Sequence, residues 1–166
     1  MYRLKIRTRL NPGIVEKRDE RAVVDTNIGV YIDAYNALCR EDNKCFVPRV
    51  IRDELDALGF KEELPNAEVV DVRRRIGYNV EKNIDSAMRE VCAVEYPRLS
   101  PEDKKLLYLA IYERAKNERA AVLSLDKPLL SCAVKFGLDT IYDVEVPLAD
   151  RMAGERFIEW LRGYIG

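Results

Sequence analysis

The side chains best placed to carry chemistry in this chain are carboxylates. Asp25 ends the apolar run Ala22-Val23-Val24, and Asp126 ends a second run, Ala120 to Leu125. Glu54 and Asp103 lie between them, each on or at the start of a helical pattern. The sequence of 166 residues contains no histidine. That absence excludes Ser-His-Asp and Cys-His nucleophilic catalysis, histidine general bases and His-ligated zinc together. A reaction must then be run by carboxylates, hydroxyls, lysines or a bound metal ion. If these acids meet within a few ångströms they repel, and some keep their protons unless a cation neutralises them. All-oxygen donors select a hard ion, Mg²⁺ or Mn²⁺, and such a site holds one or two ions about 4 Å apart. A bound ion of this kind lowers the pKa of water and stabilises charge on a phosphoryl oxygen, which is phosphodiester hydrolysis without histidine.

Each acid also has a plainer reading. Asp25 or Thr26 is placed to cap a helix, and Glu54 reads as a solvated helix glutamate beside the face formed by Ile51, Leu55 and Leu58. Asp103 fits the reciprocal half of a capping box in Ser100-Pro101-Glu102-Asp103. One cap is unremarkable; acids from separate parts of the chain that can reach one crevice are harder to assign to capping.

The elements that must position them alternate. Apolar strands at 22–25, 44–47, 67–72 and 120–124 are separated by helical patterns, and 139–142 can form a last short strand. This predicts an α/β fold, a three-layer α/β/α arrangement around a central parallel sheet. If strands 22–25 and 121–124 are neighbours where the winding direction reverses, Asp25 and Asp126 face each other across the crevice at the carboxyl ends. Helices are expected from Ile28 to Tyr35, Arg49 to Leu58, about Glu81 to Glu95, Ser100 onward, Pro128 to Phe136, and 154–164. The last, with Phe157, Leu161 and Tyr164 on one side and Trp160 close by, is expected to dock on the core, with a dimer contact as the alternative. Tyr2, Leu4 and Ile6 alternate with basic residues, the period of an N-terminal strand. Arg73-Arg74-Arg75 leaves the third strand at the same sheet edge as Asp25, and with Lys127 it is a candidate for contact with a polyanion.

The chain reads as one domain, with an N-terminal extension at 1–21, a core at 22–142 and a C-terminal segment and helix at 143–166. No apolar run approaches the ~18 residues of a membrane span, so no membrane association and a cytoplasmic location are expected. A net charge of -1 gives no bulk pull toward nucleic acid. The 4 cysteines lack CxxC spacing and read as buried small apolar residues. The high charge content and the lack of Gln and His resemble hyperthermophile usage, in which intracellular disulfides also occur.

Val23-Val24-Asp25-Thr26-Asn27, Val47-Pro48-Arg49-Val50-Ile51-Arg52-Asp53-Glu54-Leu55, Asp103 with Leu106-Leu107-Tyr108-Leu109-Ala110, and Val122-Leu123-Ser124-Leu125-Asp126 together resemble the ordered motifs of the PIN domain family. The resemblance runs from about Ala22 to Ile141. It implies that Asp25, Glu54, Asp103 and Asp126 hold Mg²⁺ or Mn²⁺ and carry catalysis, that Thr26, Asn27 and Ser124 orient carboxylates or waters, and that the substrate is single-stranded or structured RNA. The family includes toxins of toxin-antitoxin pairs, so an inhibitory protein partner enters as an expectation, beside RNA processing and quality control; a homodimer is the expectation attached to the last helix. An inactive RNA-binding or assembly module is the alternative. A haloacid-dehalogenase-like phosphotransferase ranks below both, because it wants an acid where Asn27 stands.

Overall fold

A computed structural model describes residues 20–27, 32–60 and 64–166. The basic strand expected at the N-terminus and the expected start of the first helix lie outside these residues.

The centre of the molecule is a sheet of 5 parallel strands flanked by helices, an α/β fold with three layers. The strands are β1 (Arg21–Val24), β2 (Cys45–Pro48), β3 (Ala67–Val70), β4 (Ala120–Leu123) and β5 (Asp139–Thr140), in the spatial order β3-β2-β1-β4-β5. The helices are α1 (Ile32–Leu38), α2 (Arg49–Ala57), α3 (Val72–Ile76), α4 (Tyr78–Val91), α5 (Pro101–Lys116), α6 (Lys127–Lys135) and α7 (Leu148–Ile165). Every residue of β2 and β4 is buried, as are Ala22, Val23 and Val24. Covering both sheet faces demands such continuous apolar runs. In β3, at the sheet edge, only Val70 is buried.

β1 pairs with β4 in register, Val23 opposite Val122 and Val24 opposite Leu123, while β2 flanks β1 on the other side. The direction of winding therefore reverses between β1 and β4, and the carboxyl ends of these two strands open a crevice. Beside them runs α5, with every residue from Leu106 to Ile111 buried and contacts to β1, β4, α4 and α7. A helix enclosed on all sides shows little one-sided patterning.

Several local expectations change in three dimensions. Leu58 lies beyond the end of α2 and is 73% exposed, because the chain turns at Gly59, φ 85°, before a further helical turn can form. The Arg73–Arg75 triplet follows β3 as the body of α3, whose N-cap Asp71 accepts a hydrogen bond from the Arg74 N–H at 3.2 Å. Gly77, φ 88°, separates α3 from α4, so α4 starts at Tyr78 and ends at Val91; a 3₁₀ turn at Tyr96–Arg98 follows. α7 begins at Leu148, a turn and a half earlier than its pattern suggested. The cysteines are buried but not free: Cys39 is bonded to Cys45 and Cys92 to Cys132, with Cα separations of 5.1 and 5.4 Å.

Candidate functional site

β1 delivers Asp25 to the crevice with its backbone already fixed, because the Asp25 N–H donates to the Leu123 carbonyl at 3.0 Å and carries the β1–β4 pairing one residue past the strand. The carboxylate is 4% exposed. Its Oδ1 accepts from the Thr26 backbone N–H at 2.7 Å and from Thr26 Oγ1 at 3.3 Å, and its Oδ2 accepts from Ser124 Oγ at 2.6 Å. Ser124 Oγ in turn accepts from the Asp126 N–H at 3.0 Å. One buried hydroxyl thus ties the end of β1 to the loop that leaves β4.

Asp103 comes from the first turn of α5. Its Oδ2 accepts from the Ser100 N–H at 3.0 Å while its own N–H donates to Ser100 Oγ at 3.0 Å, the reciprocal capping box expected from the sequence. Capping uses one carboxylate oxygen of Asp103, and the residue also lines the crevice. Asp126 occupies the N-cap position of α6 yet makes no side-chain capping bond. Its carboxyl instead lies near enough to Asp103 for the two acids to act on each other. Glu54 enters from α2, on the β2 side.

These groups line one cleft of about 480 Å³, together with Thr26, Asn27, Ser100, Leu125 and a further acid, Glu102. The four acids read from the sequence therefore share one space. Thr26 and Asn27 stand at its wall, and Ser124 sits beneath it in contact with Asp25. Glu102 went unassigned in the sequence because an acid in the first turn of a helix is ordinarily accounted for by the helix dipole. The signal was its adjacency to Asp103.

Burial, and after it the crowding of like charge, raises the pKa of three of the acids. Burial pushes Asp25 upward, the hydrogen bonds from Ser124 and Thr26 pull it back, and the charge of Asp103 adds to the rise. Glu54 is raised by burial and then by the charges of Asp25, Glu102 and Asp103. Asp126 is pushed up to about 7 by burial, by the charge of Asp103 and its hydrogen bond, and by Asp25. Among the described residues no group of three or more acids or cysteines stands close enough together to hold a metal ion; the carboxylates line the cleft more widely spaced. The donors around the cleft are nevertheless all oxygen, and a cation among them would relieve the repulsion that raises Asp126. That donor set fits a hard divalent ion.

The basic candidates are placed differently. Arg73 pairs with Glu81 at 3.2 Å and lies over the Tyr78 ring at 5.3 Å. Arg75 pairs with the buried Glu113 at 2.9 Å and covers the Phe46 ring at 4.4 Å. Both are tied into the packing of α3 against its neighbours, and neither lines the cleft. Arg74 is exposed, and Lys127 is exposed at the first residue of α6, next to Asp126. In comparisons with protein-family models, with curated proteins and with solved structures, nothing matches the chain.

Proposed function

We propose that this protein is a metal-dependent endoribonuclease of the PIN type, hydrolysing phosphodiester bonds in single-stranded or structured RNA. The observation that carries the reading is the cleft itself: Asp25, Glu54, Glu102, Asp103 and Asp126 line one space at the point where the sheet reverses its winding. Histidine is absent, so no other general base of ordinary pKa competes for the role.

Asp25, Glu54, Asp103 and Asp126 would hold Mg²⁺ or Mn²⁺, which when bound supplies an acidified water and neutralises charge on the phosphoryl oxygens. Ser124 and the Thr26 N–H fix Asp25, so its carboxylate does not have to reorganise when the site fills. The Ser100 N–H does the same for Asp103. Asp126, whose pKa is raised in the empty cleft, would bind the ion as its carboxylate, and Asn27 at the wall can orient water or substrate. Arg74 and Lys127 supply exposed positive charge for the RNA backbone, whereas Arg73 and Arg75 serve chiefly to hold α3.

The test is cleavage of single-stranded RNA. It should require Mg²⁺ or Mn²⁺, stop with chelator, and fall at least about 10³-fold in Asp25→Asn while the circular dichroism melt is retained. Cleavage that persists in a folded Asp25→Asn protein sinks the proposal. The capping box at Asp103 favours a second reading, a non-catalytic RNA-binding or assembly module that keeps its acids as caps. Titration with Mn²⁺ separates the two, since carboxylates acting only as caps show no specific Mn²⁺ site.

A further inference from the structure

The acids of the cleft stand at one end of a seam of opposite character. α5 leaves the cleft at Asp103, and Lys104, Tyr108, Tyr112 and Lys116 recur from there at every fourth position, forming one ridge of the helix with Lys105 beside it. α4 lies along this ridge. Lys105 Nζ pairs with Glu81 at 2.8 Å, the Tyr108 hydroxyl donates to Asp85, and Lys104 Nζ stands 4.3 Å from the centre of the Tyr96 ring, just past the end of α4. The two acids of the seam are taken up beneath it: Glu81 also pairs with Arg73 at 3.2 Å, and Asp85 accepts from the Tyr96 hydroxyl at 2.8 Å and pairs with Arg89 at 3.0 Å. The cations are less engaged. Arg73 and Arg89 keep 60% and 65% of their side chains exposed, and Lys104 and Lys116 make no ion pair among the described residues. In a chain of net charge -1 this is a local excess of positive charge, and it begins where the cleft ends. Rings alternate with the cations, Arg89 lying 5.1 Å from the centre of Tyr96, Lys116 5.3 Å from Tyr112 and Arg73 5.3 Å from Tyr78. Tyr96 and Tyr112 pack partly on the core, whereas Tyr78 is 60% exposed.

We propose that the seam between α4 and α5 is the bed of a single RNA strand that runs from the cleft toward Lys116, with Lys104, Lys105 and Lys116 on its phosphates and Tyr78 stacked on one of its bases. The proposal rests on the reading of the cleft as a ribonuclease site and adds where the substrate lies and in which form it is held. Lys104 and Lys116 are about 18 Å apart along α5, a length that takes several nucleotides of one strand. A positive groove that follows the backbone, joined to a ring that stacks on a base, is the combination that holds single strands without regard to sequence. Stacking needs an unpaired base, so the bed favours a single strand over a duplex, whose base faces are covered. The Arg73 guanidinium against the Tyr78 ring restrains that ring before a base arrives, which reduces the freedom lost on binding. An acidic protein segment would use the lysines but gives no role to an exposed ring backed by arginine. The position of the tract also answers a difficulty of the cleft, whose carboxylates repel a polyanion. Lys104 and Lys105, the two residues after Asp103, offset that repulsion at its mouth.

The test is fluorescence anisotropy with a labelled, unstructured RNA of about 12 nucleotides, in chelator so that nothing is cut. The single strand should bind at least about fivefold more tightly than the duplex of the same sequence. Tyr78→Ala should weaken binding at least about fivefold and Tyr78→Phe should not, because the ring face and not the hydroxyl makes the contact. Lys104→Ala and Lys116→Ala should each weaken all unstructured sequences alike and flatten the slope of log affinity against log salt by about 0.7. Tyr78 and Lys116 are exposed, so these variants keep the fold. Arg156→Ala, on α7, should change nothing. Equal or tighter binding of the duplex overturns the proposal. An affinity indifferent to Tyr78→Ala and to both lysine substitutions also overturns it and leaves the seam to an acidic protein segment. The two readings fail separately. A strand held in this way but never cut with Mn²⁺ upholds the bed and refutes the catalytic reading, whereas RNA cut with a KM that none of these substitutions moves refutes the bed and upholds the cleft.

Discussion

The pKa of Asp126 is raised for a reason that no single stretch of chain contains. Asp126 follows β4, Asp103 begins α5, Asp25 ends β1, and the three meet only because β1 and β4 are paired. The consequence for stability has a definite sign. The folded protein binds a proton at Asp126 up to about pH 7, whereas the unfolded chain releases it around the ordinary value of 3.8. The contribution of this group is thus full below about pH 4 and is lost as pH rises through about 7. Asp25 and Glu54 are shifted in the same direction and act with the same sign. Asp126→Asn removes the repulsion, so in metal-free buffer at pH 8 it should stabilise the protein by about 1 kcal/mol once its half-exposure is allowed for, or about 2–4 °C in a thermal melt. Addition of Mn²⁺ at pH 8 should raise the wild-type melting temperature and do much less for Asp126→Asn. A variant that melts below the wild type at pH 8 without metal would show that the acids do not strain one another.

Among the elements, α7 depends on one close approach. A Cβ at Gly154 would lie 1.8 Å from the Lys135 carbonyl oxygen and 3.1 Å from the Phe136 Cα, both backbone atoms that cannot step aside. The junction is reinforced by the buried Lys135, which pairs with Glu95 at 2.8 Å and with Asp150 at 3.0 Å. Burial disfavours the charge on Lys135, but its bonds to Glu95 and Asp150 prevail and raise its pKa. In an open helix Gly→Ala gains about 1 kcal/mol. At Gly154 it should instead cost about 2–3 kcal/mol through overpacking, seen as a lower urea midpoint with the folded helix content kept. A neutral or stabilising Gly154→Ala would mean that α7 does not lie against the end of α6. The helix itself was readable from Phe157 and Leu161. Its first turns were not, because Leu148 and Met152 face outward and give no core-facing period.

The whole molecule is closed by two disulfides that span very different lengths of chain. Cys92 and Cys132 lie 40 residues apart and join the end of α4 to α6, while Cys39 and Cys45 lie 6 apart across the turn between α1 and β2. Restricting the unfolded chain over the longer loop is worth about 4 kcal/mol and over the shorter about 2 kcal/mol. Replacing Cys92 and Cys132 by Ala together should therefore lower the stability by about that larger amount, and replacing Cys39 and Cys45 by clearly less. Urea unfolding of both pairs under non-reducing conditions makes the comparison. Equal losses, or free thiols found by alkylation of the native protein, would contradict the pairing.

What the sequence determined by itself was the alternation of strands with helices, the burial of β1, β2 and β4, the capping box at Ser100 and Asp103, and the arrival of Asp25 and Asp126 at strand ends. Continuous apolar runs and capping residues act over a few neighbours, and their physics is written locally. The tertiary structure decided the rest: that Asp103 and Asp25 raise the pKa of Asp126, that Glu102 joins the cleft, that Arg73 and Arg75 are held by Glu81 and Glu113, and which cysteines pair. Those outcomes depend on distances between residues far apart in the chain, and charge, desolvation and disulfide reach are set by such distances rather than by residue order.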